Sequence, residues 1–265
     1  GVSFVGSTPV ARSVYETAAA NGKRVQAQGG AKNHVIVSET ANLSYAAEKT
    51  VGSALACSGE RCLANDLVCV AEPVYEEFLD HVVAEVDRQV VGHGLDDETT
   101  VGPLITADHE QRVRDYVDAG VQEGAELVVD GRNVAVDVYP NGNFLGPCLF
   151  RDVTSDMTIA TEELFGPVLG VMPVADVEAG IDVLDGSDYG NAASLFTDRG
   201  SDARRFRRTA EAGNLAVNAG TAAPMAFFHF GGQNDSFFGD LHAQAEDVVR
   251  FYTDETIYIE RWPEM

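Results

Sequence analysis

The chain has 265 residues, 45% of them hydrophobic and only nine of them proline; this is enough apolar material for one or two packed domains and excludes a disordered polypeptide. Acidic residues number 42 against 18 lysines and arginines, a formal net charge of -24, so the basic footprint needed to hold a nucleic-acid backbone is missing. No apolar run reaches membrane-spanning length, and the opening GVSFVGSTPV carries no basic targeting segment, so the expected setting is soluble and cytoplasmic.

The predicted elements alternate along the chain. FVGST at 4–8 precedes a helix, and NHVIVSE is a short β-branched strand. NLSYAAEKTVGSALA has helical spacing through Leu43, Ala47, Val51 and Leu55, and CSGERC then reads as a turn. LVCVA is a buried strand. Pro73 suits the first turn of PVYEEFLDHVVAEVDRQV, whose Phe78, Val82, Val86 and Val90 fall on one stripe. After the loop GHGLDDETTVGPL, Thr106 starts a helix through Val113, Val117 and Val121, and AELVVDG returns as a strand. DVEAGIDVLDG leads into the strand NAASLFT. SDARRFRRTAEAG, with Ser201 as N-cap and Gly213 as stop, leads into NLAVN. Such repeated units imply an α/β fold with an open, mostly parallel sheet and helices on both faces. The final VRFYTDETIYIERW is a long strand signal; it completes its own sheet or pairs with a partner subunit.

The four cysteines, Cys57, Cys62, Cys69 and Cys148, show no C-x-x-C spacing and no nearby histidine, so no metal is expected. A disulfide framework belongs to small secreted chains. Cys69 and Cys148 lie in apolar runs and read as buried filler. Cys62 alone has polar neighbours, in SGERCLAN. It is either an inert thiol or a nucleophile whose ionisation is helped by Arg61 and by turn amides. The acidic residues are spread throughout the chain, as in GLDDETT. They form either an ordinary solvated surface or one adapted to high salt.

Several motifs in a fixed order carry a resemblance. FVGST, GGAKN at 29–33, GERC at 59–62, EELFGPV at 162–168, YGNAASLFT at 189–197 and HFGG at 229–232 resemble the aldehyde dehydrogenases, and the likeness is to the C-terminal, catalytic half of such enzymes. Within them, VQAQGGAKNH, SGERCLA, SFFGDLHA and VRFYT are similar to the CoA-acylating methylmalonate semialdehyde dehydrogenases. Two departures are Glu60, where that subgroup usually has glutamine, and NAGTAAPMAFFHFGG in place of its proline-rich loop.

The resemblance implies NAD-dependent oxidation of a short semialdehyde, methylmalonate or malonate semialdehyde, to propionyl-CoA or acetyl-CoA, with CoA as co-substrate. Cys62 would be the nucleophile, and its backbone N–H would help hold the oxyanion. Gln28 stands 34 positions before Cys62, where hydrolytic members carry a glutamate that activates water; an amide cannot take that proton, and a thiol such as CoA needs the base less. By the same resemblance Gly6 and Ser7 would meet the cofactor pyrophosphate at a helix N-terminus, Glu163 would hold the nicotinamide ribose, and Phe165 would pack beside the ring. Arg61 either pairs with a substrate carboxylate or is a surface arginine.

The implied division is a remnant of the NAD-binding domain at 1–29, a catalytic domain at 30–232, and a return with an oligomerisation strand at 233–265. The adenosine contacts and the oxyanion asparagine are expected upstream, so the chain alone is expected to be incomplete, whether truncated or completed by a separate N-terminal half. A homo-oligomer, dimer or tetramer, is the expected assembly. Two other readings are a hydrolytic NAD-dependent aldehyde dehydrogenase and a non-catalytic fragment. The charge also generates a test. Unfolding should require more heat in molar KCl than in dilute buffer, because screening weakens net self-repulsion; a flat or falling melting temperature would contradict the high-salt reading.

Overall fold

The computed structural model describes residues 1–264. β1 (Val2–Val5) and β2 (Val25–Gln28) run parallel, with Val5 opposite Gln28. α1 (Thr8–Ala20) links them; Pro9 fits its first turn, and the Ser7 N-cap hydroxyl makes no capping bond. Residues 29–32 lead into β3 (Asn33–Val37), every residue of which is buried, as a central parallel strand requires. Asn42 caps α2 (Leu43–Leu55) by accepting from the Tyr45 N–H. A short 3-10 turn, Ala56–Gly59, and the Cys62 loop precede β4 (Asn65–Ala71) and α3 (Tyr75–Val86).

Thr106 accepts from the His109 N–H to cap α4 (Ala107–Glu123), and left-handed Gly124 ends it. β5 (Glu126–Val129), β6 (Cys148–Arg151), α5 (Thr158–Thr161) and β7 (Val168–Val174) follow. The Asp176 carboxylate caps α6 (Val177–Asp185). The remaining elements are β8 (Tyr189–Gly190), β9 (Ala192–Phe196), α7 (Gly200–Thr209), β10 (Asn214–Val217), β11 (Gln233–Asn234), β12 (Phe237–Gly239) and α8 (Ala245–Tyr252).

The main sheet has seven strands in the order β10-β9-β3-β4-β7-β6-β5, parallel except for the β5–β6 pair at its edge. Strand alternation divides the core between its two faces. Ile36, Leu67 and Cys69 pack with Val113, Phe150, Ile181 and Phe206. Val35, Val37, Val68 and Val70 pack with Val51, Phe78, Val82 and Phe196 on the α2–α3 side. A smaller sheet, β1-β2-β12, sets Phe237 antiparallel to Gln28. No helix among the described residues is long and apolar enough to cross a membrane.

Several elements differ from the sequence reading. β6 and β7 escaped it: β6 is only four residues long, and β7 contains Pro173, which argues against a central strand. α7 starts at Gly200 with Arg199 at the cap, and the Ser201 hydroxyl instead donates to Asp202. It ends at Thr209, before Gly213, whose role is close packing: a Cβ there would sit 1.9 Å from the Gly232 nitrogen. α3 ends at Val86, so Val90 leaves the stripe and is exposed. In the C-terminal stretch, residues up to Tyr252 belong to α8, and 253–264 pair with no strand among the described residues.

Cys62 precedes β4, Asn33 opens β3 and Asn191 precedes β9, so these residues gather at the amino ends of central strands. Gly59 makes the turn before Cys62 possible. Its φ is +74°, and a Cβ would lie 2.0 Å from the Gly166 carbonyl oxygen. Gly59→Ala should therefore cost about 2 kcal/mol or more from backbone strain and clash, read by urea unfolding; a loss below about 0.5 kcal/mol would show that the turn relaxes freely.

Candidate active site

Backbone turns hold the Cys62 loop. The Arg61 N–H donates to Gly59 O at 2.9 Å and the Ala64 N–H to Arg61 O at 2.9 Å. Two side-chain amides then fix the Cys62 carbonyl, Asn33 Nδ2 at 2.9 Å and Asn191 Nδ2 at 2.6 Å. Asn33 also donates to Ala64 O at 2.7 Å. The half-buried Cys62 packs against Leu63, Ala192 and Ala222. Cys57 is exposed, while Cys69 and Cys148 are buried, as their apolar runs implied.

Arg61 and the Cys62 N–H do act to lower the Cys62 thiol, as expected, but they do not prevail. Burial, followed by the Glu163 carboxylate, pushes the thiol above its ordinary value, outweighing the opposing effects of the Cys62 N–H and Arg61. The Arg61 guanidinium is engaged elsewhere. Its Nη2 donates to Ser53 O at 2.9 Å and to the Ser53 and Thr221 hydroxyls at 3.3 Å. Its Nε is buried and has no partner among the described residues, which leaves a donor directed at no protein acceptor.

Gln28 ends β2, and its carbonyl accepts from the Gly6 N–H at 3.1 Å. The arm that follows it is tied at each step. Gly29 N–H donates to Ser236 O at 2.9 Å, Gly30 N–H to the Thr8 hydroxyl at 2.8 Å, and Ala31 N–H to Glu163 Oε1 at 3.0 Å. Asn33 then reaches Cys62. One short arm thus connects Gln28, the start of α1, Glu163 and the Cys62 loop.

At α1, Gly6 passes so close to Phe4 that a Cβ would lie 2.7 Å from the ring, and the exposed Ser7 hydroxyl is uncommitted. Oε2 of the half-buried Glu163 has no hydrogen-bond partner among the described residues, so the carboxylate can still accept from a hydroxyl pair. The exposed Phe165 adopts a left-handed φ of 53°, and its carbonyl accepts from His109 Nε2 at 2.7 Å. His109 lies 3.5 Å from Glu60 Oε1, which also accepts from the Ile105 N–H at 3.1 Å, so Glu60 fastens the neighbouring loop.

Sequence reasoning missed Lys32, Asn33, Asp66, Asn191 and Thr8. Lys32 Nζ, with no exposed side-chain surface, donates to Asp66 Oδ2 at 3.0 Å, Ile159 O at 2.8 Å and Glu162 O at 2.9 Å. Burial raises the Asp66 pKa, and Lys32 opposes that rise. His34 Nδ1 lies 2.9 Å from Lys32 O, and burial followed by the Lys32 charge lowers its pKa to about 4. The available signal was a lysine and an aspartate, each placed at the entry to a strand with buried flanks.

Burial also pushes Glu163 up, from 4.5 to about 7, with the nearby Asp66 adding to the rise and the Ala31 N–H opposing it. Between those two values the native state keeps a proton that the unfolded chain has released, so stability falls as pH rises through that window. Glu163→Gln removes the titration. Its stability gain over wild type should be near zero at about pH 4 and reach up to about 3 kcal/mol at about pH 8. Urea unfolding at both values checks this, and an equal gain at both would contradict it.

Comparison with known proteins places this geometry. The sequence model of the aldehyde dehydrogenase family matches residues 1–257. Malonate-semialdehyde dehydrogenase 1 of Oceanobacillus iheyensis is 45% identical over 261 residues, covering 98% of this chain and 54% of that protein. The crystal structure of methylmalonate-semialdehyde dehydrogenase from Oceanimonas doudoroffii superposes with a TM-score of 0.97 at 41% identity, over 100% of this chain and 54% of that one. The 1-pyrroline-5-carboxylate dehydrogenase from Thermus, with bound NAD, gives a TM-score of 0.86 at 31% identity, over 94% of this chain and 48% of that one. The chain thus spans about half the length of the relatives it matches. A cysteine loop clamped at the amino edge of a parallel sheet, together with a family match along nearly its whole length, makes this chain a member of the aldehyde dehydrogenase family.

Proposed function

We propose that this chain supplies the catalytic residues of an NAD-dependent, CoA-acylating semialdehyde dehydrogenase. The carrying observation is the pairing of the fixed Cys62 loop with an amide, Gln28, at the head of the arm that leads to it. The relatives named above, malonate- and methylmalonate-semialdehyde dehydrogenases, support a malonate-type substrate, as does the unused Nε–H of Arg61 as a donor to its carboxylate.

In this reading the Cys62 thiolate adds to the aldehyde carbon to give a thiohemiacetal. The Cys62 N–H donates to the new oxyanion, and the asparagines on the Cys62 carbonyl keep that turn from moving. NAD, when bound, would supply the acceptor for the hydride lost as the thiohemiacetal becomes a thioester. Three features fit NAD: the N-terminus of α1 with its uncommitted Ser7 hydroxyl and close-passing Gly6, the open Oε2 of Glu163 for the ribose, and the exposed Phe165 ring. The carboxylate of a malonate-type substrate leaves as carbon dioxide, the electrons of the broken C–C bond passing into the thioester enolate, which takes a proton at carbon. The CoA thiol loses its proton and attacks the thioester carbonyl, displacing Cys62 as the thiolate. Gln28 cannot deprotonate water, so hydrolysis is disfavoured.

The division into a cofactor-domain remnant at 1–29, a catalytic domain at 30–232 and a return at 233–265 belongs to the same proposal, supported by the separateness of the β1-β2-β12 sheet. So does a homo-oligomer, supported by the exposure of Ile257, Tyr258, Ile259 and Trp262 in the C-terminal stretch.

In the complete enzyme, NADH production from malonate semialdehyde should depend on CoA, with a single turnover in its absence. Cys62→Ala should abolish it, whereas Cys57→Ala should change it little. Gln28→Glu should raise free-acid release, base catalysis of this kind contributing on the order of 10²- to 10⁴-fold. Rapid wild-type turnover to free acid without CoA would establish the hydrolytic reading instead.

A further inference from the structure

Phe165 has a left-handed φ of 53°, a backbone conformation that a bulky residue keeps only when its surroundings enforce it. Helix α4 supplies the constraint. Its cap fixes the first turn, because the Thr106 hydroxyl accepts from the His109 N–H at 3.2 Å. His109 and Val113, one turn apart on α4, then meet residues 165–166 together. His109 Nε2 lies 2.7 Å from the Phe165 carbonyl, which can only accept, so that nitrogen carries the proton. Val113 lies so close to Gly166 that a Cβ there would be 2.7 Å from it. The Gly166 carbonyl in turn meets Gly59, in the turn before Cys62. Residues 165–166 are thus held by both α4 and the Cys62 loop.

The imidazole is itself anchored. Glu60 Oε1 lies 3.5 Å from His109 Nε2, the two side chains being only 15% and 14% exposed, and the same oxygen accepts from the Ile105 N–H, one residue before the cap. The His109 and Phe165 rings meet edge to face with centroids 6.0 Å apart. We propose that His109 is a positioning residue: anchored by Glu60, it holds Phe165 in its left-handed turn and so fixes the ring beside which the nicotinamide is received. The hold on the turn stands on these contacts alone, and its use in hydride transfer rests on the NAD-dependent reading above. A His109 that served only the surface of α4 could lose its donor without consequence for Phe165.

Limited chymotrypsin digestion of the chain separates the two cases, since the protease cuts after Phe165 only when that segment opens. First cuts are counted by intact-mass spectrometry, relative to those after the exposed Phe227 and Phe228. His109→Ala should raise the relative cut between Phe165 and Gly166 roughly fivefold, the consequence of one lost hydrogen bond for local opening. His109→Gln, whose amide can still donate to the carbonyl, should stay within about twofold of wild type. Glu60→Ala should also raise the cut, and adding it to His109→Ala should contribute less than about 1.5-fold more, because both act on one contact. In the complete enzyme, His109→Ala should lower kcat for NADH formation roughly fivefold or more while KM for malonate semialdehyde stays within about twofold, and His109→Gln should restore kcat.

If His109→Ala fails to fold, His109→Phe keeps a ring against Phe165 without the donor, and the same rise is expected. An unchanged cut in His109→Ala or His109→Phe, no rescue by His109→Gln, or Glu60 and His109 effects that multiply would each overturn the proposal. A raised cut with kcat unaltered would overturn the role given to the ring. The cut involves neither NAD nor CoA, so failure there is distinct from failure of the proposed reaction.

Discussion

The carbonyl of Cys62 accepts hydrogen bonds from two asparagine amides at the entries of different strands, and the geometry of the site depends on that pair of hydrogen bonds. Asn33 begins β3 and Asn191 precedes β9. Since β3 pairs with both β4 and β9, the loop that leads into β4 is pinned from the middle of the sheet and from its neighbour. A loop is ordinarily the most mobile part of a fold. This one inherits the rigidity of three adjacent strands, so the Cys62 side chain is carried on a fixed turn.

Local sequence showed some of this and hid the rest. β3, α2, β4 and α4 were legible because apolar spacing, caps and buried runs agreed, as with Thr106 before α4 and Asn42 before α2. Cys62, Gln28, Glu163 and Phe165 stood out through motif resemblance, and residues 29–33 connect the first three in the structure. The partners of those residues were not legible. Asn191 lies 129 positions from Cys62, and Lys32 lies 130 from Glu162, so no local period marks either contact. The state of the thiol was misread for a similar reason. Arg61 is adjacent in sequence, but its guanidinium turns toward Ser53 and Thr221, while Glu163, about a hundred positions away, exerts the larger effect.

The charge on the surface and the charge in the interior follow different rules. Exposed pairs such as Arg12–Asp235 and Arg199–Glu39 each contribute little in water. With 42 acidic and 18 basic residues, most carboxylates have no cation to pair with, so their mutual repulsion falls to solvent ions. Beneath the site, Lys32 and Asp66 are shielded from those ions. Their interaction therefore depends on geometry and hardly at all on salt.

The three-stranded sheet that contains β2 takes one strand from near the end of the described chain. β12 lies beside β2, Ser236 accepts from the Gly29 N–H, and its hydroxyl donates to Gly30 O at 2.7 Å, bridging 206 positions. During synthesis, residues 28–30 and the Cys62 loop leave the ribosome long before Ser236 exists. The central sheet can assemble from nearer neighbours, but the arm must wait for the last tenth or so of the chain, because a contact of such separation closes late. Until then the Cys62 thiol belongs to a partly folded protein without finished surroundings.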